Sequence, residues 1–208
     1  MKRIAVILVL LALVVPTMAQ HRSRHHEPRF DYTVTAGVSF NQIDGDDAGS
    51  YNKFGIHASV GTTFSLTEDT ESPWRMLVEV GVMQKGSRVP QIDRVIGLTY
   101  VELPLALTYK MSSFRIGAGV APAFLAQANV TDGGVHSQVT EDNFRKIDRF
   151  PVFLDVQYRG GDHWGINVRA YNSMLSVVDE AATGTYRIFR SNMGVFNRNV
   201  TVGVSYRF

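Results

Sequence analysis

The sequence predicts an all-β protein, an eight-stranded antiparallel transmembrane up-and-down β-barrel, and three observations carry that prediction. The last ten residues alternate without a break, with Val200, Val202, Val204, Tyr206 and Phe208 on one face and Asn199, Thr201, Gly203, Ser205 and Arg207 on the other, the period-2 signature of a strand with one apolar side. Seven earlier stretches alternate in the same way, and the connections between them are short and long by turns. A soluble domain rarely ends on an exposed Tyr-x-Phe, because a bare aromatic edge strand pairs with other chains. In a bacterial outer-membrane barrel the closing strand pairs with the first, its apolar face meets lipid and the terminal Phe sits in an aromatic girdle.

The chain has 208 residues. It opens on Met1-Lys2-Arg3, then an apolar run over residues 4–15, Pro16, and Thr17-Met18-Ala19 before Gln20. A basic start, an apolar stretch of about a dozen residues and a small residue at the cut is a secretory signal, so residues 1–19 are expected to be cleaved after Ala19. The run falls short of the roughly 20 apolar residues a helix needs to cross a bilayer. No later segment approaches that length, so a membrane crossing must be made by strands. Without Lys2 and Arg3 the formal charge drops from +2 to 0, and no basic cluster interleaved with aromatics suggests nucleic acid. There is no cysteine, hence no disulfide framework in an exported chain.

Residues 20–30 are polar and aperiodic and read as a flexible periplasmic arm; residues 31–208 form the barrel. In strand 1, Tyr32, Val34, Ala36, Val38 and Phe40 oppose Thr33, Thr35, Gly37 and Ser39. Strand 2 runs from Phe54 to Phe64 with Gly55, His57, Ser59, Gly61 and Thr63 on its polar face. Strand 3 sets Trp74, Met76, Val78, Val80 and Val82 against Arg75, Leu77, Glu79, Gly81 and Met83. Strand 4 covers residues 100–109, with Glu102 and Pro104 on the polar face, and strand 5 covers 114–124, with Arg115 there. Strands 6, 7 and 8 follow at 151–159, 164–171 and 199–208, carrying Asp155, Arg169 and Arg207 on that same side. Connections at 67–73, 110–113 and 159–163 are short and rich in turn residues, whereas 41–53, 84–99, 126–149 and 172–198 are longer. Short periplasmic turns and long outer loops are what an outer-membrane barrel shows. Aromatics of the apolar face gather at both ends, Tyr32, Phe64, Trp74, Tyr109, Phe114, Tyr158, Trp164 and Phe208 at the short-turn end and Phe40, Phe54 and Phe124 at the other.

Alternation alone does not say whether the apolar face points to lipid or into the core of a soluble, ligand-carrying, lipocalin-like barrel. Composition of the other face points to lipid. A water-exposed face is rich in Lys, Glu and Gln; this one is mostly Gly, Ala, Ser and Thr, which suit the cramped interior of an eight-stranded barrel. Its charges carry both signs, Glu79, Glu102 and Asp155 against His57, Arg115, Arg169 and Arg207. They are expected to pair as a structural network in the lumen, with Glu102 matched to Arg115 or Arg169, because buried charges need partners.

Val82-Met83-Gln84-Lys85-Gly86, then Tyr100-Val101-Glu102-Leu103-Pro104-Leu105, then the closing Val202-Gly203-Val204-Ser205-Tyr206-Arg207-Phe208 resemble the PorT-like outer-membrane beta-barrel family of Bacteroidetes. The aromatic-x-Glu-x-Pro-Leu run inside a strand is the most specific part, and the resemblance spans the mature chain from about Asp31. One departure is visible: where such proteins carry Arg-Tyr followed by Gly-Leu, this chain has Arg169-Ala170-Tyr171-Asn172. The resemblance implies an outer-membrane location and an eight-stranded barrel; it implies much less about activity, the family's namesake being associated with a protein secretion and surface-attachment system.

No cofactor is expected. His21, His25, His26 and Glu27 are metal-ligating types, but nothing restrains them and they read as a solvated arm. His136 with Ser137, Asp132, Glu141 and Asp142 can be drawn as a triad, yet neighbouring loop residues impose no geometry on one another; a barrel-borne hydrolase is therefore the alternative and a non-enzymatic barrel the main reading. The loops 126–149 and 172–198, with Phe144, Tyr186, Phe189 and Phe196, are the expected contact surface for a protein or glycan at the cell surface. Partners expected elsewhere are outer-membrane lipid around the apolar face and the barrel assembly machinery, which would read Phe208 as a terminal signal.

Overall fold

The computed structural model describes residues 30–44, 51–67, 72–133, 135–137, 144–177 and 195–208. The signal segment 1–19 and the arm up to residue 29 lie outside the described residues. Twelve strands are present among those described: β1 (Phe30–Asp44), β2 (Lys53–Ser65), β3 (Trp74–Val89), β4 (Arg94–Glu102), β5 (Leu105–Met111), β6 (Phe114–Val120), β7 (Ala123–Asp132), β8 (Val135–Ser137), β9 (Ile147–Asp148), β10 (Pro151–Arg159), β11 (Trp164–Ser173) and β12 (Phe196–Arg207). All pairings are antiparallel, and the order β2-β1-β12-β11-β10-β6-β5-β3 returns to β2. The result is a closed eight-stranded barrel. Its seam joins first strand to last, from Thr33 opposite Arg207 to Asp44 opposite Phe196, and Phe208 N–H donates to the Tyr32 carbonyl at 3.1 Å.

The fourth and fifth staves are each interrupted once, at Leu103-Pro104 and Ala121-Pro122, and the sixth begins at Pro151. Proline has no N–H to give a ladder, so strand 4 divides into β4 and β5 and strand 5 into β6 and β7. Direction and offset survive the interruption: β3 pairs Gly81 with Glu102 above the break and Val78 with Leu105 below it. The carbonyls make up the loss. Glu79 N–H donates to Pro104 O at 2.9 Å, Leu103 N–H to Pro122 O at 2.9 Å and Ala121 N–H to Pro151 O at 2.8 Å. Three prolines thus step across three neighbouring staves while the barrel stays closed.

Outward and inward faces divide as the alternation requires. Val34, Val38, Ile56, Val80, Ile116, Leu154, Val156, Ile166, Val168, Val202 and Val204 are exposed on the outside. At the short-turn end Trp74 packs edge-on against Tyr109 (4.9 Å between centroids), Phe114 lies tilted against Tyr158 (5.1 Å), and Trp164, Tyr206 and Phe208 follow one another edge-on at 5.0 and 5.1 Å. At the far end Phe40 meets Phe54 at 5.3 Å, and Phe124 and Phe150 are exposed. From Phe54 to Phe64 along β2, at about 3.3 Å per residue and a tilt of about 40°, the band rises about 25 Å.

The long loops depart from expectation. Residues 84–99 are largely a hairpin: β3 and β4 run on in register to Val89 opposite Arg94, turned by a 3-10 segment Pro90–Ile92 that Asp93 ends in the left-handed region at φ 46°. Alternation fails there because the extension leaves the apolar band and its outer side chains turn polar. A bulge opposite Thr99 and Tyr100 skips Ala126, which brings Ala128 to the inside beside Leu98. Phe144 and Phe196, expected as loop contacts, are buried. Phe144 joins Ile43, Leu98, Tyr100, Ala123 and Ala128 in an apolar plug over the loop end of the lumen, and Phe196 is 2% exposed. Length and charge made both segments look like free loops, whereas closing the barrel's end requires apolar side chains to fold inward. Tyr186 and Phe189 lie outside the described residues.

The two-faced wall has a direct test by urea unfolding in lipid vesicles. Val80→Arg puts a charge into the exposed apolar band and is expected to cost about 2–4 kcal/mol. Thr201→Ser, on the fully buried inner face, removes one methyl group and should cost roughly 1 kcal/mol or less. Equal losses would show that the outer band does not face lipid.

Candidate functional site

The inward face of the barrel carries the chain's unusual chemistry. Strand alternation forces every second residue into the lumen, and the residues there include charges that must find partners out of water. They do so in three tiers. In the middle tier Arg169, on β11, donates from Nη1 and Nη2 to both oxygens of Glu79 on β3 at 2.5 and 2.8 Å, and from Nε to Asp155 on β10 at 2.7 Å. Asp155 stands directly opposite Arg169 in the β10–β11 register, so the sheet itself sets one side of this clamp, while Glu79 reaches across the lumen. The Arg169 guanidinium also lies 5.3 Å from the Phe153 ring centre.

Towards the loops, Lys85 on β3 is fully buried and pairs with Glu102 at 2.5 Å. Its ammonium sits 5.0 and 5.7 Å from the ring centres of Tyr100 and Tyr171, a cation–π cradle. Asp148 accepts from the Ser173 hydroxyl at 2.5 Å. Asn199 donates to Asn41 Oδ1 at 2.6 Å, and Asn41 in turn donates to Ser39 Oγ at 3.0 Å, joining the two closing strands inside the wall. At the short-turn end Arg75, Arg115, Arg159 and Arg207 surround Asp31, and Arg115 also donates to Thr63 at 3.0 Å.

Glu79, Asp155 and Arg169 therefore meet in one clamp. Glu102 pairs with neither Arg115 nor Arg169: it stands above the proline breaks, where Lys85 is within reach, while Arg169 is already held by Glu79 and Arg115 lies in the short-turn tier. His57 faces the lumen, and among the described residues it forms no ion pair. It sits where two glycines leave room, since a Cβ on Gly37 would come within 2.6 Å of His57 Cε1 and one on Gly203 within 3.0 Å of Nε2. Sequence reading missed Asp31, Arg75, Lys85, Asp148 and Arg159 as members of the network. Arg75 and Asp31 were legible from the alternation, one position earlier in strand 1 for the latter; Lys85 was hidden because it belongs to the hairpin extension read as loop.

Phe208, the expected terminal signal, stacks edge-on with Tyr206 in the lower girdle. Only the backbone of His136 is described, in β8 opposite Thr131; Glu141 and Asp142 lie outside the described residues, as do His21, His25, His26 and Glu27. Among the described residues no group of three or more His, Asp or Glu side chains is placed to hold a metal ion, and no helix is long and apolar enough to cross a membrane. The lumen is filled by side chains, charged ones such as Arg75 and Lys85 together with neutral ones such as Tyr100 and Asn167.

Removing one member of the clamp exposes its worth. Arg169→Met strands Glu79 and Asp155 without their cation and is expected to cost about 3–5 kcal/mol. Combining it with Glu79→Gln and Asp155→Asn should recover most of that loss. Equal loss in the single and triple variants, read by unfolding in vesicles, would place the cost in packing instead.

The sequence profile of the family described as "Outer membrane protein beta-barrel domain" matches residues 18–179. Solved structures similar to the chain include Neisserial surface protein A (NspA), 13% identical over 87% of this chain and 98% of that one with a TM-score of 0.45. Ail, the attachment invasion locus protein of Yersinia pestis, is 10% identical over 87% of this chain and 100% of its own, with a TM-score of 0.47. The outer membrane protein OprG from Pseudomonas aeruginosa is 12% identical over 89% and 99%, with a TM-score of 0.43. No curated protein matches the chain. The family match covers most of the sequence and agrees with the closed barrel, its outward apolar band and its charged interior: the protein belongs to the outer membrane protein beta-barrel domain family and is an outer-membrane β-barrel of a Gram-negative bacterium.

Proposed function

We propose that this barrel is a non-enzymatic component of the cell surface, with a lumen that serves as structural core and a working surface at its loop end. The observation that supports this reading most is the extension of the sheet past the outer aromatic girdle. There β3, β4 and β7 continue with exposed Gln84, Arg88, Arg94, Gln127 and Asn129 on their outer sides, and the apolar plug stiffens them from within. Loops carried on a rigid, sealed scaffold suit recognition, which needs a fixed surface more than a passage. Bridges between irregular segments add to the stiffness: Arg145 N–H donates to Val177 O and Val177 N–H to Val195 O, each at 2.8 Å.

The resemblance of the Tyr100 to Leu105 run to PorT-like barrels supports narrowing the partner to an assembly or secretion component of the envelope, met through the loops 126–149 and 172–198. A photoreactive residue placed at Arg94 or Tyr186 in intact cells is expected to form a discrete adduct, while the same residue at lipid-facing Ile166 yields none. Failure of every loop-end position to crosslink would overturn the surface role.

Phe208 is proposed as the residue read by the barrel assembly machinery, after signal cleavage near Ala19. Its deletion also removes the last aromatic of the lower girdle. Poor insertion and periplasmic degradation are expected, and undiminished heat-modifiable protein in the membrane fraction would count against this role.

A further inference from the structure

Four strands place one inward row across the closing seam. His57 on β2 stands opposite Gly37 on β1, Gly37 opposite Gly203 on β12, and Gly203 opposite Asn167 on β11. The two glycines carry no side chain into the lumen, so His57 and Asn167 lean over them from either side. A Cβ on Gly203 would lie 2.7 Å from Asn167 Oδ1 and 3.0 Å from His57 Nε2. Both atoms flank one point, which keeps them within the span of a single bridging water at about 2.9 Å per bond. Neither atom has a hydrogen-bond partner, although His57 is only 9% and Asn167 2% exposed. Buried polar atoms left so are costly, and each calls for a partner.

Their chemistry explains why they do not bond one another. The Asn167 side chain turns to the Asp155 carboxylate, which takes the amide N–H end and leaves Oδ1, an acceptor, towards His57. The His57 ring turns to the Val38 carbonyl. A neutral imidazole has one N–H and one bare nitrogen, so a proton aimed at Val38 leaves the other nitrogen an acceptor, and Nε2 is the nitrogen beside Gly203. Neither the Asp155 nor the Val38 contact closes to full hydrogen-bond geometry, but each fixes which end of its side chain remains. Two acceptors then converge, and a molecule with two donors is what joins them.

We propose that His57 Nε2 and Asn167 Oδ1 hold one buried water, which donates to both and ties β2 to β11 across the β1–β12 seam. Its oxygen keeps lone pairs for a donor, and the Thr201 hydroxyl, at the next inward position of β12, is fully buried and unpartnered. A metal ion is the other ligand that acceptors could share. Among the described residues, however, no group of three or more His, Asp or Glu side chains is placed to hold one, and the Arg169 guanidinium stands close enough to His57 to repel a cation there. The site lies in the middle of the wall and does not rest on the surface role of the loop end.

The test uses the full barrel folded in detergent. Its crystals are expected to show one ordered water within about 3.2 Å of both Nε2 and Oδ1, and crystals of Asn167→Leu are expected to lack it. In solution at about pH 8.5, above the ordinary imidazole range, the ring nitrogens of 15N-labelled His57 should report the Nδ1–H tautomer with Nε2 accepting a bond. Asn167→Leu should move Nε2 to the shift of a bare acceptor. Gln157→Leu, opposite Asn167 on β10, should leave both readings unchanged, and heat modifiability confirms that each variant folds. If Asn167→Leu does not fold, the wild-type readings decide the case. A direct contact between Nε2 and Oδ1, the Nε2–H tautomer, retention of the water in folded Asn167→Leu, or a shift of Nε2 on adding zinc would each overturn the proposal.

Discussion

Everything in this molecule depends on closing the backbone hydrogen-bond ladder into a ring. In hydrocarbon there is no water to satisfy a stray N–H or carbonyl, so a sheet survives only without edges. The β1–β12 seam supplies that closure along twelve register pairs from Thr33 with Arg207 to Asp44 with Phe196. The prolines show how strictly the condition holds. Each of the breaks at Pro104, Pro122 and Pro151 removes a donor, and in each case the neighbouring stave's N–H finds the proline's own carbonyl. Beyond the girdle, where β3 has lost β2 as a neighbour, side chains take over: Asn52 accepts from Arg88 N–H at 2.9 Å and Lys53 donates to the Lys85 carbonyl at 2.9 Å.

Closure has a second consequence, which is the charged interior. An eight-stranded ring leaves a lumen only wide enough for side chains to fill, and with lipid outside, polar residues have nowhere else to go. Large groups enter where small ones face them: His57 is accommodated by Gly37 and Gly203. The charges meet in tiers along the axis: among the described residues Arg169 holds Glu79 and Asp155, Lys85 meets Glu102, and Asp31 draws Arg115 and Arg159.

The plug at the loop end relates fold to role. Ile43, Leu98, Tyr100 and Phe144 form the kind of apolar cluster usually found in the middle of a soluble domain, here placed where the barrel leaves the membrane and its outer face turns polar. Such a cluster stiffens the extended β3–β4 hairpin and β7, so that the segments they carry project from a firm base.

Strict alternation in eight stretches was enough, from sequence alone, to determine the class of fold, the lipid-facing residues and the two aromatic girdles, because a period of two with one face apolar and the other small admits few other structures. Family resemblance in the Tyr100 to Leu105 run added the expectation of an outer-membrane location. The partners of the charges were not legible. Which cation meets Glu102 depends on how far β3 continues beyond the band, and that extension lost its alternation as soon as its outer face left lipid. The inward turn of Phe144 and Phe196 was hidden for a related reason: a residue in an irregular segment has no periodicity to announce its side, and only the packed end of the barrel shows that it is needed inside. The convergence of Arg75, Arg115, Arg159 and Arg207 on Asp31 likewise joins residues from five strands, and strand tilt around a closed ring, which no single stretch of sequence records, is what brings them together.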